Sequence, residues 1–218
     1  MKHTHCGVVV GFLLLLMLSP AAMAVSQTFT FEPPDRNIED LPHKNYFAWG
    51  MNWNLPNGQE IVGAELKIKS LCNWQASATD VLRMRLLDER PEGPGIHWEQ
   101  NHWPGVSRGR DNQNPTDKFK GFGTFLTEYR DYDGYAEDWS FEFNGEQLDA
   151  LGQYVANDGL FGIGFDPDCH FYNSGIELSI YTDDKPTGQG AVPEPMTLAA
   201  FGLGATGLAG YIRRRRGR

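Results

Sequence analysis

Three groups of residues have types and spacings that suggest chemistry. The first is Asp166-Pro167-Asp168-Cys169-His170, with Asn173 shortly after it. Carboxylate and amide oxygens from Asp166, Asp168 and Asn173 would suit calcium, a hard cation that takes oxygen ligands. The same aspartates also suit Asp-Pro turn chemistry, in which they accept backbone N–H bonds. Nearby, Asp131-Tyr132-Asp133-Gly134 is weakly similar to a calcium loop. Its glycine comes at the fourth position rather than the sixth and the fifth-position ligand is missing, so it reads as an acidic surface loop.

The second group is His97-Trp98-Glu99-Gln100-Asn101-His102-Trp103. Trp98, His102 and Trp103 are candidates for stacking on sugar rings and hydrogen-bonding their hydroxyls, from a loop on a rigid scaffold. Large aromatics also pin long loops to a core, which gives the two tryptophans a structural alternative. The third group is the cysteine pair. Cys6 lies in the N-terminal leader, which leaves Cys72 and Cys169 to form one disulfide in an oxidising compartment, or to stay as buried thiols. Catalytic motifs are missing: there is no Gly-x-Ser-x-Gly elbow, His-Glu-x-x-His or phosphate loop. Carboxylate pairs fit for a glycosidase occur in any acidic chain and discriminate nothing. The chain therefore reads as a non-enzyme with no required cofactor, calcium being the one ion it suggests.

The elements that would position these groups are short strands. Gln27 to Glu32, Ile61 to Lys69 and Val81 to Leu87 alternate, with polar residues on one side of each. Period two with one charged face marks a half-buried antiparallel strand. Further strands are expected over 121–129, 139–143, 160–165 and 176–181. Leu148, Leu151 and Val155 sit at helical spacing and predict one short helix over 146–155. A long loop rich in Pro and Gly runs from 88 to 118, and the glycines Gly162 and Gly164 suggest a tight bend or another strand approaching closely. The expected fold class is all-β: an antiparallel β-sandwich, jelly-roll-like, with one short helix. In layout alone it resembles the carbohydrate-binding sandwiches of secreted bacterial proteins, a likeness that carries no function by itself.

Charge narrows the partners. Of the 28 acidic residues all but Glu194 lie between residues 25 and 193, against 13 of the 19 basic ones. So acidic a body lacks the cations needed to neutralise phosphates, which argues against nucleic acid.

The ends are more specific. Lys2, an apolar run from Val8 to Leu18 and Ala22-Met23-Ala24 follow the plan of a cleavable secretory signal over residues 1–24. At the other end, a polar stretch leads into Val192-Pro193-Glu194-Pro195. Met196 to Ile212 then carry no charge, and Arg213 to Arg216 with Gly217-Arg218 close the chain. Seventeen apolar residues are near the lower limit for a transmembrane helix, and the arginines would stay in the cytoplasm.

This tail resembles the PEP-CTERM sorting domain of Gram-negative bacteria. The resemblance implies that Pro193, Glu194 and Pro195 are the recognition element for an exosortase and that 196–212 is the transit helix. It also implies export in an organism that makes exopolysaccharide and biofilm matrix. The expected organisation is a signal peptide (1–24), a sandwich domain (25–185), a linker with the motif (186–195), a transmembrane sorting helix (196–212) and a basic tail (213–218). Signal peptidase, exosortase, the membrane and an exopolysaccharide are the expected partners. The protein is expected at the cell surface or in the extracellular matrix. The two other readings are a purely structural surface protein, stabilised by calcium and the disulfide, and a carbohydrate-active hydrolase.

Overall fold

The computed structural model describes residues 26–75, 77, 79–111 and 116–185. The signal, linker, sorting helix and basic tail expected from the sequence all lie outside these residues. Among the described residues no helix is long and apolar enough to cross a membrane.

Two antiparallel sheets face each other. Sheet 1 is built on β3 (Gln59–Asn73), which pairs with β11 (Gly175–Asp184) along one edge and β8 (Glu137–Glu142) along the other. Outside β11 lies β1 (Gln27–Phe31), while β10 (Phe171–Tyr172) pairs with the last residues of β3. Sheet 2 has the order β5 (Trp98–Gln100), β6 (Gly105–Arg110), β2 (Asn45–Asn52), β9 (Leu160–Pro167), β4 (Leu82–Leu87), β7 (Thr124–Tyr129). The all-β sandwich expected from period two is what forms.

Alternation puts the core between the sheets. Leu66, Ile68, Leu178 and Ile180 point inward from sheet 1, and Phe47, Trp49, Met84, Leu86, Phe161, Ile163 and Phe165 from sheet 2. The one α-helix among the described residues, α1 (Gly145–Asp158), closes an open side with Leu151 and Val155. Its start is set by a capping box: Asn144 Oδ1 accepts from Gln147 N at 3.0 Å, and Gln147 Oε1 from Asn144 N at 2.9 Å. Gln147 Nε2 also donates to the carbonyls of Phe125 and Leu126, fixing the helix to β7. Gly159 ends it in the left-handed region at φ 78°.

Two expectations fail here. The disulfide between Cys72 and Cys169 is not formed, and both are free thiols. Tyr172, not Cys169, stands opposite Cys72. Cys169 lies in the bend before β10, outside the ladder that β10 forms with β3. The Cys169 thiol hydrogen-bonds Asp80 instead, and burial with that carboxylate beside it pushes its pKa up to about 11.

The second is the long loop, which is not structureless: it contains β5 and β6. The chain between β4 and β7 folds back over the outer face of sheet 2, where Tyr46, Ile96 and Phe119 form a second small core with Trp98 and Phe122.

Candidate functional site

The outer face of sheet 2 is floored by glycine. Alternation that sends Phe161, Ile163 and Phe165 inward turns Gly162, Gly164 and Asp166 outward on β9. On β2 it turns Tyr46 and Gly50 the same way. Aromatic rings rest on this floor. The Trp103 ring lies across Gly50 and Gly162, so that a Cβ on either would fall 2.5 Å from it. The ring of Phe119 covers Gly164, and that of Tyr46 covers Gly109. The two glycines of β9 thus mark the close approach of aromatic rings and, at Gly162, of the Trp49 carbonyl of β2 as well, while β9 runs through them without a bend.

The two tryptophans of the loop serve different ends. Trp98 is locked in place: its Nε1 donates to the Pro91 carbonyl at 2.8 Å, its ring meets Tyr46 edge-on at 5.0 Å, and the Arg90 guanidinium lies 5.6 Å over it. It therefore does the loop-pinning work. Trp103 is half-buried and lines a groove of about 390 Å³ with Asp88, Glu89, Arg90, Glu92, Asn101, Asp158 and Leu160. His102 is exposed and does not line this groove; its backbone N–H donates to Ser107 Oγ.

Three elements meet at the groove. Asp88 and Glu89 follow β4, Asp158 ends α1, and Asn101 and Trp103 come from the turn between β5 and β6. Asn157 Nδ2 bridges to the Asp88 carboxylate at 3.2 Å, tying the helix end to the β4 end. Arg90 is paired with Glu92, so Asp88, Glu89 and Asp158 dominate the charge of the groove. Sequence reasoning missed these three because nothing in their own segments sets them apart from other surface carboxylates. Only the topology brings the end of β4, the end of α1 and the loop together.

Each calcium candidate has protein partners of its own. Asp166 is buried at 2% exposure on the outer face of sheet 2, and its carboxylate accepts the Lys118 N–H at 2.8 Å. Burial, with Asp111 and Asp117 nearby, raises its pKa to about 7 against the Lys118 hydrogen bond. The Asp168 carboxylate accepts the Val81 N–H and faces Arg83 at 3.6 Å. Asn173 donates to the Asn37 carbonyl at 2.9 Å. Among the described residues no group of three or more His, Cys, Asp or Glu side chains is placed to hold a metal ion. The acidic loop at 131–134 is a turn: the Asp131 carboxylate accepts from Asn73, Asp133 and Gly134 N–H groups at 2.7–3.1 Å. Burial works against that carboxylate, but the three donors outweigh it and hold its pKa below the ordinary value.

Comparison with protein families gives one match: residues 191–216 fit the PEP-CTERM protein-sorting motif. The match includes Pro193, Glu194 and Pro195, so the tail is the sorting element its residues resemble. It marks the chain as an exported protein sorted by an exosortase and held in the membrane in transit through its C-terminal region. A search of curated proteins returned no match to this chain.

Proposed function

We propose that this exported protein acts by binding rather than catalysis, and that its ligand is a surface or matrix polysaccharide held in the Trp103 groove. One observation carries the reading: an indole supported from below by Gly50 and Gly162 lines an open groove beside Asn101 and several carboxylates. A fixed aromatic face stacks on the C–H side of a pyranose ring, and carboxylate and amide groups around it take the hydroxyls. The carboxylates favour uncharged or amine-bearing sugars over uronates, which they repel. The interleaving of early and late strands, β1–β11–β3 and β2–β9, supports reading the sandwich as jelly-roll-like. The cell surface or extracellular matrix is where such a ligand would be met.

A purely structural role is the second reading, and Trp98 favours it, since that aromatic is spent on packing. Affinity for chitosan, cellulose and alginate separates the two. Binding of chitosan or cellulose that falls about tenfold in Trp103→Ala, but not in Trp98→Phe, supports the groove. No retention on any of the three, or an unchanged Trp103→Ala, leaves the structural role.

A further inference from the structure

Four exposed aromatics gather at the opposite end of the molecule, where nothing above uses them. Trp74 is 63% exposed, Tyr172 38%, Tyr132 71% and Tyr135 77%. Among the described residues only two other large hydrophobic side chains are exposed, Val62 and Phe125, and both lie on other parts of the sheets. Water contact for so many rings in one place is unusual unless something covers them.

Backbone pairing brings the four together. Tyr172 stands opposite Cys72, two residues before Trp74, and Trp74 N–H donates to the His170 carbonyl at 2.8 Å. The His170 ring stacks on Tyr172 with centroids 4.5 Å apart. Leu71 and Asn73 are buried, so Cys72 and Trp74 face outward from sheet 1. On the other edge of β3, Asn73 N–H donates to Asp131 at 2.8 Å, which docks the turn carrying Tyr132 and Tyr135. That turn is held in advance: Asp131 accepts from Asp133 and Gly134, and Asp133 from Tyr135 N–H at 3.0 Å. Rings on a pre-set backbone lose little entropy when they bind.

We propose that Trp74, His170, Tyr172, Tyr132 and Tyr135 form a second saccharide platform, and that one molecule bridges two polysaccharide strands. The ligand class is a polymer of uncharged or amine-bearing sugars. Tyr and Trp offer flat faces to sugar rings and hydroxyl or N–H groups to their oxygens. Carboxylates at Asp133, Glu137 and Asp138 flank the platform and repel anionic polymers and anionic membranes alike. Asp and Glu are depleted at protein interfaces, and their presence around these rings favours a saccharide over a protein partner.

Distance makes bridging possible. Trp103 rests on Gly162 near the start of β9, whereas His170 lies three residues beyond its end. Eight residues of largely extended chain put the two sites roughly 20 Å apart, on the outer faces of different sheets. Bridging rests on the groove reading; the platform itself does not.

The test uses the full-length protein in detergent micelles, with soluble chitosan for affinity and for light scattering, and alginate as the anionic control. The expected result is that Trp74→Ala/Tyr172→Ala and Trp103→Ala each weaken chitosan binding by about tenfold, and that either abolishes the scattering of cross-linked polymer. Tyr132→Ala/Tyr135→Ala gives the same readout from the turn should the first pair fail to fold. If Trp103→Ala alone removes all binding, the platform is overturned and the groove stands. If only the platform variants lose affinity, the platform stands, while the groove and bridging fall. No chitosan binding by the wild type overturns both. A wild-type dimer that Trp74→Ala converts to monomer assigns the aromatics to self-association and overturns the platform.

Discussion

The two outer faces of the sandwich are treated in opposite ways. Sheet 1 presents Glu65, Lys67, Lys69, Glu177 and Tyr181 to water, joined by contacts such as Lys67 to Glu65 at 2.9 Å and Tyr181 to Glu65 at 3.0 Å. Sheet 2 presents glycine beside Tyr46 of β2, and the chain between β4 and β7 returns to cover it with Trp98, Trp103 and Phe119. A charged face is finished once the strand alternates. A glycine-floored face is finished only when a distant segment supplies the missing side chains, and that segment can then carry a ligand site. The lesson is that the groove forms on the face whose strands leave room.

Substituting the floor gives the largest contrast. A Cβ at Gly162 would meet the Trp103 ring and the Trp49 carbonyl, both at 2.5 Å, and that carbonyl belongs to β2, which is paired with β9 at this point. Gly162→Ala should cost about 3 kcal/mol in a denaturant titration, an overpacking effect. On sheet 1, a Cβ at Gly63 meets only the Tyr181 side chain, at 3.1 Å. Gly63→Ala should change stability by less than about 1 kcal/mol. Equal losses would mean that the two faces do not differ in this way. Phe119→Ala comes next. It empties a ring that is 1% exposed over Gly164, and should cost about 3 kcal/mol, as large-to-small changes in a core do.

Titration sharpens the comparison further. Asp166, beneath the covered face, has a folded pKa of about 7, above its unfolded value. Its neutral form is favoured by folding, so its contribution is fully present below the unfolded pKa and is lost as pH rises through about 7. Melting temperature should therefore drop as pH rises from about 4 to about 7, and Asp166→Asn should remove much of that drop. A drop of the same size in the variant would show that Asp166 does not set it. Asp131 runs the other way: its lowered pKa makes its share of stability fade only as pH falls into the acid range.

The smallest effects belong to the ends and the bare face. Reductant should leave the melting temperature unchanged, because Cys72 and Cys169 are already thiols. A fall on adding dithiothreitol would restore the bridge. Lys67→Ala on the solvated face should shift the melting temperature by no more than about 2 °C, as removal of an exposed ion pair usually does.

What was legible in the sequence follows the same division. β3, β4 and β11 could be read from Ile61 to Lys69, Val81 to Leu87 and Ile176 to Tyr181 because polar residues mark one face of each, in β4 the ion-paired Arg83 and Arg85, and alternation survives. β2 could not: Tyr46 through Met51 are all buried, so polar residues never mark its second face. β6, Gly105–Arg110, is rich in glycine and arginine and lacks the β-branched run that announces a strand. The helix was visible in Leu148, Leu151 and Val155, and Asn144 with Gln147 carried its capping signal. At the site, Trp103 was visible as a candidate. Its separation in role from Trp98 was not, because it depends on Gly50 and Gly162 lying beneath one ring and on Pro91 and Tyr46 holding the other. Which N–H groups and cations reach Asp166 and Asp168 was not legible either, because their spacing says nothing about it. The tail, read from local order alone, was the most legible part.

Hydroxyl-radical footprinting of the full-length protein, with and without chitosan, tests the central claim most directly. Trp103 should be oxidised in the free protein and protected several-fold by the polymer, while Trp98 reacts slowly and equally in both. Oxidation of Trp103 at the same rate with and without bound polymer would contradict the groove as the binding site.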